Sequence, residues 1–350
     1  MNLLDQAISN ISVYNNKSAL KAKKHLESLA MPRWALGKVM DLAVNLAGIT
    51  GKVHPSFEKK INIVMAADHG ITEEGVSAYP QEVTVSMVYT MLKEGAAINV
   101  LANSASSKVI VVDVGIKSKL NISNDYNFIC RRIANGTSNF TKGPAMTKEQ
   151  AIKSIEIGID IANNLASKSD IFGLGEIGIG NTTSATAILC AITKSEPATV
   201  TGRGTGINDK YLKNKIAAIE KALDLNKPNK NDALDILQKV GGFEIGAMAG
   251  FILGAAANRR PIIIDGLICT SSALIAQLLC PKICDFIIAS HEGIEPGHKL
   301  MLKHLNKKAY LNLGLRLGEG TGAALMMPLI DSAISVLNSM YTLKEALTIK

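Results

Sequence analysis

The sequence predicts an α/β protein whose mainly parallel sheet is covered by helices on both faces. Short apolar runs typical of buried strands alternate along the chain with longer segments of helical periodicity. Hydrophobic residues make up 47% of the 350 residues, whereas aromatic residues contribute only 4%. This aliphatic composition agrees with strands that are buried on both faces.

The predicted elements follow one another through most of the chain. Pro32 is expected near the start of a helix, because proline is favoured in the first helical turn. The apolar run 245–257 is too short to span a bilayer and predicts a buried helix of small residues. We predict strands at 61–67, 108–116, 170–175, 260–266 and 285–290, and helices within 17–50 and at 81–95, 147–167, 181–193, 209–223, 271–279 and 321–340.

Charge and cysteine usage bear on the partners and the compartment. The net charge is +8, but the lysines are scattered without an arginine-rich stripe or a set of stacking aromatic residues, so no nucleic-acid partner is expected. The five cysteines show neither a disulfide framework nor zinc spacing, which predicts free thiols in the cytoplasm. The N-terminal residues lack the pattern of a signal peptide, and no membrane partner is expected.

The glycine-rich segment 173–178 matches the fingerprint of dinucleotide-binding loops. That fingerprint also needs an acid at the end of the next strand, whereas Glu196 follows a helix, so no nicotinamide dinucleotide cofactor is expected. The segment instead delivers Asn181 and Thr182 to a helix N-terminus, which suits an anion or simple helix capping. Glu176 would repel phosphate, so we expect it to face an uncharged part of a ligand.

A second glycine-rich motif, TGRGTG, predicts a phosphate-binding loop. Gly202, Gly204 and Gly206 allow the backbone to turn its N–H groups inward as an anion nest. Lys215 follows on the next helix, where it is within reach of the same anion. The motif lacks the Gly-Lys-Ser/Thr ending of a nucleoside triphosphate loop, and a plain loop is the alternative interpretation.

Two later loops carry further candidates. Glu319 lies between Gly318 and Gly320 just before a helix, so a ligand can approach its carboxylate closely. The alternative is a surface acid that caps the helix. His291 and His298 lie around glycines in the loop 290–298, either as ligand contacts or as structural residues.

The loop after the first strand presents Ser77, Tyr79 and Gln81, which suit the wall of a pocket for a flat heterocycle. Packing within the loop is the alternative. The preceding His69 has no second ligand at metal-binding spacing, and no HExxH motif or acidic metal cluster occurs in the sequence. We therefore expect chemistry without a metal or cofactor, based on carboxylates and a bound phosphate.

Taken together and in this order, the motifs resemble those of the nicotinate-nucleotide–dimethylbenzimidazole phosphoribosyltransferase family. The similarity covers about residues 30–340 and runs through AADHG, EGVSAYPQEVT, GEIGIGNTTSA, TGRGTG, GGFEIGAMAG, IIIDGLICTSSALIA, SHEGIEPGH and LRLGEGTGAAL. The resemblance implies a doubly wound, Rossmann-like sheet in an α/β catalytic domain at 61–304. It also implies a small helical domain built from 1–60 plus 305–350, and a homodimer.

The resemblance further implies the reaction and the roles of the candidates. Glu319 is then the proton acceptor and Glu176 a supporting carboxylate, in the transfer of phosphoribose from nicotinate mononucleotide to a base of the cobamide lower ligand. That base stays open among dimethylbenzimidazole, another benzimidazole, adenine and a phenol. Gly293 departs from relatives with a small hydroxyl residue, which removes the basis for a side-chain contact to phosphate there. The implied substrate-binding residues are Ser77, Tyr79, Gln81, Gly178, Asn181, Thr182, Gly202, Arg203, Gly204, Thr205, Gly206, Lys215, Ser290 and Gly293.

Overall fold

A computed structural model describes residues 2–122 and 127–349. The strands of these residues are β1 (Lys60–Ala67), β2 (Ser107–Gly115), β3 (Phe128–Cys130), β4 (Ile171–Ile177), β5 (Ile262–Ile264) and β6 (Ile287–Ala289). They form a parallel sheet in the order β3-β2-β1-β4-β5-β6. This is the doubly wound arrangement, in which the direction of winding reverses between β1 and β4. The predicted fold class is confirmed.

Helices cover both faces of this sheet. Successive side chains of a strand point to opposite faces. Accordingly, Ile63 and Met65 of β1 belong to one hydrophobic cluster, whereas Val64 and Ala66 belong to another. The helices are α1 (Leu3–Asn10), α2 (Asn16–Leu26), α3 (Lys38–Thr50), α4 (Val83–Leu92), α5 (Ala97–Ser104), α6 (Lys148–Leu165), α7 (Asn181–Thr193), α8 (Pro197–Val200), α9 (Asp209–Asn226), α10 (Ala233–Val240), α11 (Phe243–Ala257), α12 (Leu267–Leu279), α13 (Pro296–His304), α14 (Thr321–Ser339) and α15 (Leu343–Ala346).

Every predicted strand is present, but one helix start was predicted wrongly. Pro32 lies in the turns between α2 and α3, and α3 begins only at Lys38. Gly37 precedes it with a φ of 49°, a conformation that favours glycine and sets the direction of the helix. The prediction also lacked several elements of only 3 to 9 residues each, which show little periodicity: β3, α1, α5, α8, α10, α13 and α15.

The two ends of the chain meet in one layer. Helices α2 and α3 pack against α14, and their apolar residues share a cluster with Ile171 and Ile263 of the sheet. Helix α1 packs instead against α6 and α11. The division into 61–304 and 1–60 plus 305–350 stays a prediction, and residues 1, 123–126 and 350 lie outside the described residues.

Helix α14 is long and apolar enough to cross a membrane by length and composition alone, with a mean hydropathy of 1.2. In the fold, however, 56% of that apolar window is buried inside the protein. Met326, Met327 and Ile330 are fully buried in the cluster shared with α2 and α3. The helix therefore serves as a core helix that closes the apolar face of the sheet.

Helices α6 and α11 approach each other closely through glycines. A Cβ at Gly250 of α11 would overlap the carbonyl oxygen of Ile155, and one at Gly158 of α6 would overlap the carbonyl oxygen of Ala247. Both overlaps involve backbone, which cannot rotate away as a side chain can. The prediction of a buried small-residue helix at 245–257 is confirmed, and close helix contact explains its composition.

We expect Gly250→Ala to lower the free energy of unfolding by roughly 1–3 kcal/mol, because the added methyl group overpacks the contact with α6. In an exposed helix the same change would stabilise the protein by roughly 1 kcal/mol. Urea unfolding measures the difference. Gly95→Ala is the matched control, since a Cβ at Gly95 meets no atom closer than 3.5 Å. Equal stability of the two variants would contradict the proposed contact.

Candidate active site

A cavity of about 540 Å³ opens at the carboxyl ends of the strands. Its walls come from the segments after β1, β4, β5 and β6 and from the segment that precedes α14. The cavity therefore lies where the winding of the sheet reverses, which is the usual ligand position in doubly wound proteins.

Glu176 lies in the wall of this cavity and is only 5% exposed. It belongs to β4 rather than to the predicted loop, because the strand continues its pairing with β1 as far as Ile177. The side-chain amide of Asn181 donates a hydrogen bond to its carboxyl group. Burial, followed by the charges of Asp265 and Glu244, raises the pKa of Glu176 to about 8. The group is therefore mostly protonated at neutral pH.

Glu319 reaches the same cavity from a turn in the left-handed conformation. Gly318, Glu319 and Gly320 have φ values of 90°, 62° and 88°, which glycine adopts freely but glutamate adopts only with strain. The turn passes directly over Gly175, where a Cβ would overlap the backbone of Glu319. Burial raises the pKa of Glu319, and the N–H of Ile98 opposes that rise. Among the described residues, its Oε2 is buried without a hydrogen-bond partner, which is rare for a buried polar atom.

Asp265 is a third acid at this edge, which the sequence analysis did not identify. It follows β5, and its carboxylate accepts hydrogen bonds from the N–H groups of Gly320 at 3.0 Å and Gly322 at 2.7 Å. Burial raises the pKa of Asp265 to about 7, against the effect of these N–H groups. Its position directly after a buried strand was the feature of the sequence that could have identified Asp265 as a candidate. Asp265 fixes the turn that carries Glu319.

The TGRGTG loop forms the other end of the cavity. Lys215 is 1% exposed, and its Nζ donates a hydrogen bond to Thr182 Oγ1 at 2.6 Å. Burial lowers the pKa of Lys215 to about 8, while the charge of Glu295 opposes that change. The N–H of Gly204 donates to Glu295 Oε1 at 3.0 Å. The glycine loop, the start of α7 and the lysine thus converge, with the unforeseen carboxylate of Glu295 among them.

The loop after β1 borders the mouth of the cavity. Tyr79 is 53% exposed, and its N–H donates to Ser77 Oγ at 3.2 Å. The neighbouring N–H of Ala78 donates to Thr205 Oγ1 at 3.1 Å, which connects this loop to the TGRGTG loop. Leu317, 58% exposed, lines the cavity as well. An aromatic ring and an aliphatic side chain at the mouth suit a flat apolar ligand.

Most predicted site residues line the cavity, and the others lie behind its wall or point away. Gln81 and Ser290 donate hydrogen bonds to backbone carbonyls, and Arg203 pairs with exposed Asp209. The predicted residues that line the cavity are Ser77, Tyr79, Glu176, Gly178, Asn181, Thr182, Gly204, Thr205, Gly293 and Glu319. Those behind the wall or turned away are Gln81, Gly202, Arg203, Gly206, Lys215 and Ser290.

The histidines near the site are neutral or lie outside it. Burial lowers the pKa of His291 to about 4 and that of His298 to about 3. His298 Nδ1 accepts the N–H of Gly293 at 2.9 Å, so His298 shapes this loop. His69 lies fully buried behind the cavity, with Nε2 2.7 Å from Glu244 Oε1. Within 2–122 and 127–349, no three His, Cys, Asp or Glu side chains are grouped to hold a metal ion.

Known proteins share both the sequence and the fold. A family model described as phosphoribosyltransferase matches residues 11–347. A nicotinate-nucleotide–dimethylbenzimidazole phosphoribosyltransferase of Syntrophotalea carbinolica is 49% identical over 347 residues, which span 99% of this chain and 98% of the relative. The protein of the same name from Desulfotalea psychrophila is 45% identical, with the same coverage.

Two crystal structures from Thermus thermophilus superpose on nearly the whole chain. One, described as the nicotinate-nucleotide–dimethylbenzimidazole phosphoribosyltransferase, has a TM-score of 0.89 and 37% identity, and covers 96% of this chain and 99% of its own. The other, described as CobT, has a TM-score of 0.91 and 38% identity, and covers 95% and 99%.

The raised pKa of Glu176 predicts how stability depends on pH. Between its ordinary pKa of 4.5 and about 8, the folded protein keeps a proton on this group that the unfolded chain has lost. The free energy of unfolding should therefore fall as the pH rises through this window. Glu176→Gln removes the titrating group, so the variant should lose less stability than the wild type. Urea unfolding from about pH 5 to about pH 8.5 measures this, with exposed Glu220→Gln as control. Parallel profiles for wild type and Glu176→Gln would contradict the assignment.

Proposed function

The chain belongs to the nicotinate-nucleotide–dimethylbenzimidazole phosphoribosyltransferase family, and we propose that it transfers phosphoribose from nicotinate mononucleotide to 5,6-dimethylbenzimidazole or a related base. The products are nicotinate and α-ribazole 5′-phosphate, a building block of the cobamide lower ligand. One observation carries the proposal: two buried glutamates and part of the glycine loop line one cavity, and a buried lysine lies behind the wall that the glycine loop forms.

The chemistry needs few groups. Nicotinate leaves the ribose with its ring nitrogen neutral, so no general acid is required. The ribose carbon gains oxocarbenium character, which a nearby carboxylate stabilises. The attacking imidazole ring must lose its N–H proton, so one general base is required. Direct displacement inverts the anomeric carbon and gives the α-ribotide.

The two glutamates suit different parts of this reaction. We assign Glu319 as the base, because Glu319 lines the cavity and its Oε2 is buried without a hydrogen-bond partner among the described residues. Glu176, with a pKa raised to about 8, is mostly protonated at neutral pH and so offers an O–H donor rather than a second base. Pairs of acids whose environments differ in this way divide the acid and base roles.

The phosphate is assigned to the opposite end of the cavity. Gly204 offers a backbone N–H, Thr182 lies in the first turn of α7, and Lys215 supplies the positive charge. The positive end of a helix dipole and a charged amine both favour an anion. A phosphate held there and a flat base at Tyr79 would place the ribose between them, beside the two glutamates.

We propose a cytoplasmic homodimer without nucleic-acid or membrane partners. The free thiols of all five cysteines support the compartment, and family resemblance supports the dimer. Light scattering at micromolar concentration should give twice the chain mass of 37.2 kDa. A mass that stays at one chain would reject the dimer.

The reaction itself is tested with purified protein, nicotinate mononucleotide and dimethylbenzimidazole. We expect equal amounts of nicotinate and α-ribazole 5′-phosphate by mass spectrometry, with unchanged turnover when a chelator is present. A mixture of dimethylbenzimidazole, other benzimidazoles, adenine and a phenol then ranks the acceptors. A protein that binds the mononucleotide but releases no nicotinate would be a nucleotide-binding protein instead.

We expect Glu319→Gln to fold and to bind both substrates, because glutamine keeps the shape of glutamate. Its turnover should fall by roughly 10²–10⁴-fold, since the amide accepts no proton at neutral pH. Glu176→Gln should lose less, because glutamine resembles the protonated acid. Turnover of both variants is measured beside calorimetric binding. Near-normal turnover of Glu319→Gln with an inactive Glu176→Gln would reverse the assignment, and activity in both would remove it.

A further inference from the structure

The carboxylate of Glu295 lies against the TGRGTG loop. Its Oε1 accepts the N–H of Gly204 at 3.0 Å. Its Oε2 lies so close to Gly202 that any Cβ at that position would overlap it. One N–H of the predicted anion nest, that of Gly204, therefore already donates to an anion, and this anion is a side chain of the same chain.

Capping of α13 does not explain the position of the Glu295 side chain. Glu295 is the N-cap of α13, a position where an acid commonly accepts N–H groups of its own helix. Its side chain makes no such capping bond and reaches instead across to the glycine loop. Among residues 2–122 and 127–349, its Oε2 is buried without a hydrogen-bond partner, a costly state for a carboxylate oxygen. The contact is therefore one that a better-matched anion can replace.

The charge of the site points in the same direction. Lys215 is 1% exposed, and within the part of the chain that the structure describes its Nζ donates a hydrogen bond only to a neutral hydroxyl, that of Thr182. A buried ammonium group needs a nearby negative charge. Glu295 is the acid whose charge acts on Lys215. Glu295 thus balances the lysine that a bound phosphate would otherwise balance.

We propose that Glu295 is an affinity-determining residue: its carboxylate occupies the phosphate loop of the free enzyme, and the phosphate group of the substrate must displace it. This inference rests on the proposed function, because it takes a nucleotide phosphate as the ligand of that loop. The phosphate and the Glu295 carboxylate cannot occupy the loop together, since two adjacent negative charges repel each other. Binding of the phosphate is therefore coupled to a movement of Glu295 away from Gly204.

The displacement lowers the affinity of every phosphate ligand by the same factor, because only the open state of the loop binds phosphate. Inorganic phosphate contacts only the loop, so the shared loss leaves it a weak ligand. Nicotinate mononucleotide also contacts the cavity through its ribose and its ring, and it keeps useful affinity. Glu295 thus weakens both ligands equally, and the nucleotide binds more tightly than free phosphate only through its additional contacts.

The test uses Glu295→Gln, which keeps the shape and the acceptor oxygen but removes the charge. Calorimetry should show that inorganic phosphate and nicotinate mononucleotide both bind roughly tenfold more tightly than to the wild type. Nicotinate riboside, which has no phosphate, should bind with unchanged affinity. Glu292→Gln removes an acid from the same loop, where the side chain is 41% exposed and 3.8 Å from Lys299, and should change none of the three affinities.

Three outcomes would overturn the inference. Unchanged phosphate affinity in Glu295→Gln would show that the carboxylate does not compete. Weaker binding of both the mononucleotide and the riboside would show that Glu295 contacts the ribose. Lys215→Ala in the Glu295→Gln background should abolish the gain for phosphate, and a retained gain would place the phosphate elsewhere. Glu295→Ala repeats the test if the glutamine variant does not fold.

The proposed function is tested separately. Tighter phosphate binding without any formation of α-ribazole 5′-phosphate by the wild type would remove the reaction and keep the competition at the loop. Normal turnover of the wild type with unchanged phosphate affinity in Glu295→Gln would keep the reaction and remove the competition at the loop.

Discussion

The hydrogen bonds from the start of α14 to Asp265 hold the candidate active site together. Through Gly320 and Gly322 they connect the end of β5 to the turn that carries Glu319. The same turn crosses β4 at Gly175, a place where the strand must lack a side chain for it to pass. Because Glu319 adopts a strained backbone conformation, it needs such fixed neighbours on both sides to stay directed at the cavity.

This construction concentrates acids in a small buried volume. Glu176, Asp265 and Glu319 are each at most 5% exposed, and burial raises the pKa of all three. Burial, reinforced at Glu176 by the charges of Asp265 and Glu319, keeps protons on some of these groups at neutral pH. Lys215, a buried cation, lies behind the wall at the other end of the cavity, where it contacts Thr182. The site therefore has an acidic end and, at the glycine loop, the end to which we assign the phosphate, an arrangement that suits a transfer between a phosphorylated ribose and a proton-donating base.

The sheet and most helices were predictable because apolar runs and helical periodicity are local properties. Glu319 was recognisable for a similar reason, since its two glycines are its neighbours in sequence. Asp265 was missed because its partners lie at the start of α14, far along the chain. Glu176 was placed in a loop because glycines beside it suggest one, whereas pairing with β1 makes the segment a strand. Glu295 needed the fold to bring it to Gly204.

The position of Glu319 directly before α14 also determines the order in which the site is assembled during synthesis. The strands β1 to β6, the glycine loop and Lys215 leave the ribosome before residue 318 does. A nascent chain of that length contains the strands, the glycine loop and Lys215, but it lacks Glu319. Its α2 and α3 meanwhile expose the apolar surface that α14 will cover, a surface prone to aggregation. Docking of α14 thus covers that surface and brings Glu319 to Glu176 in a single step.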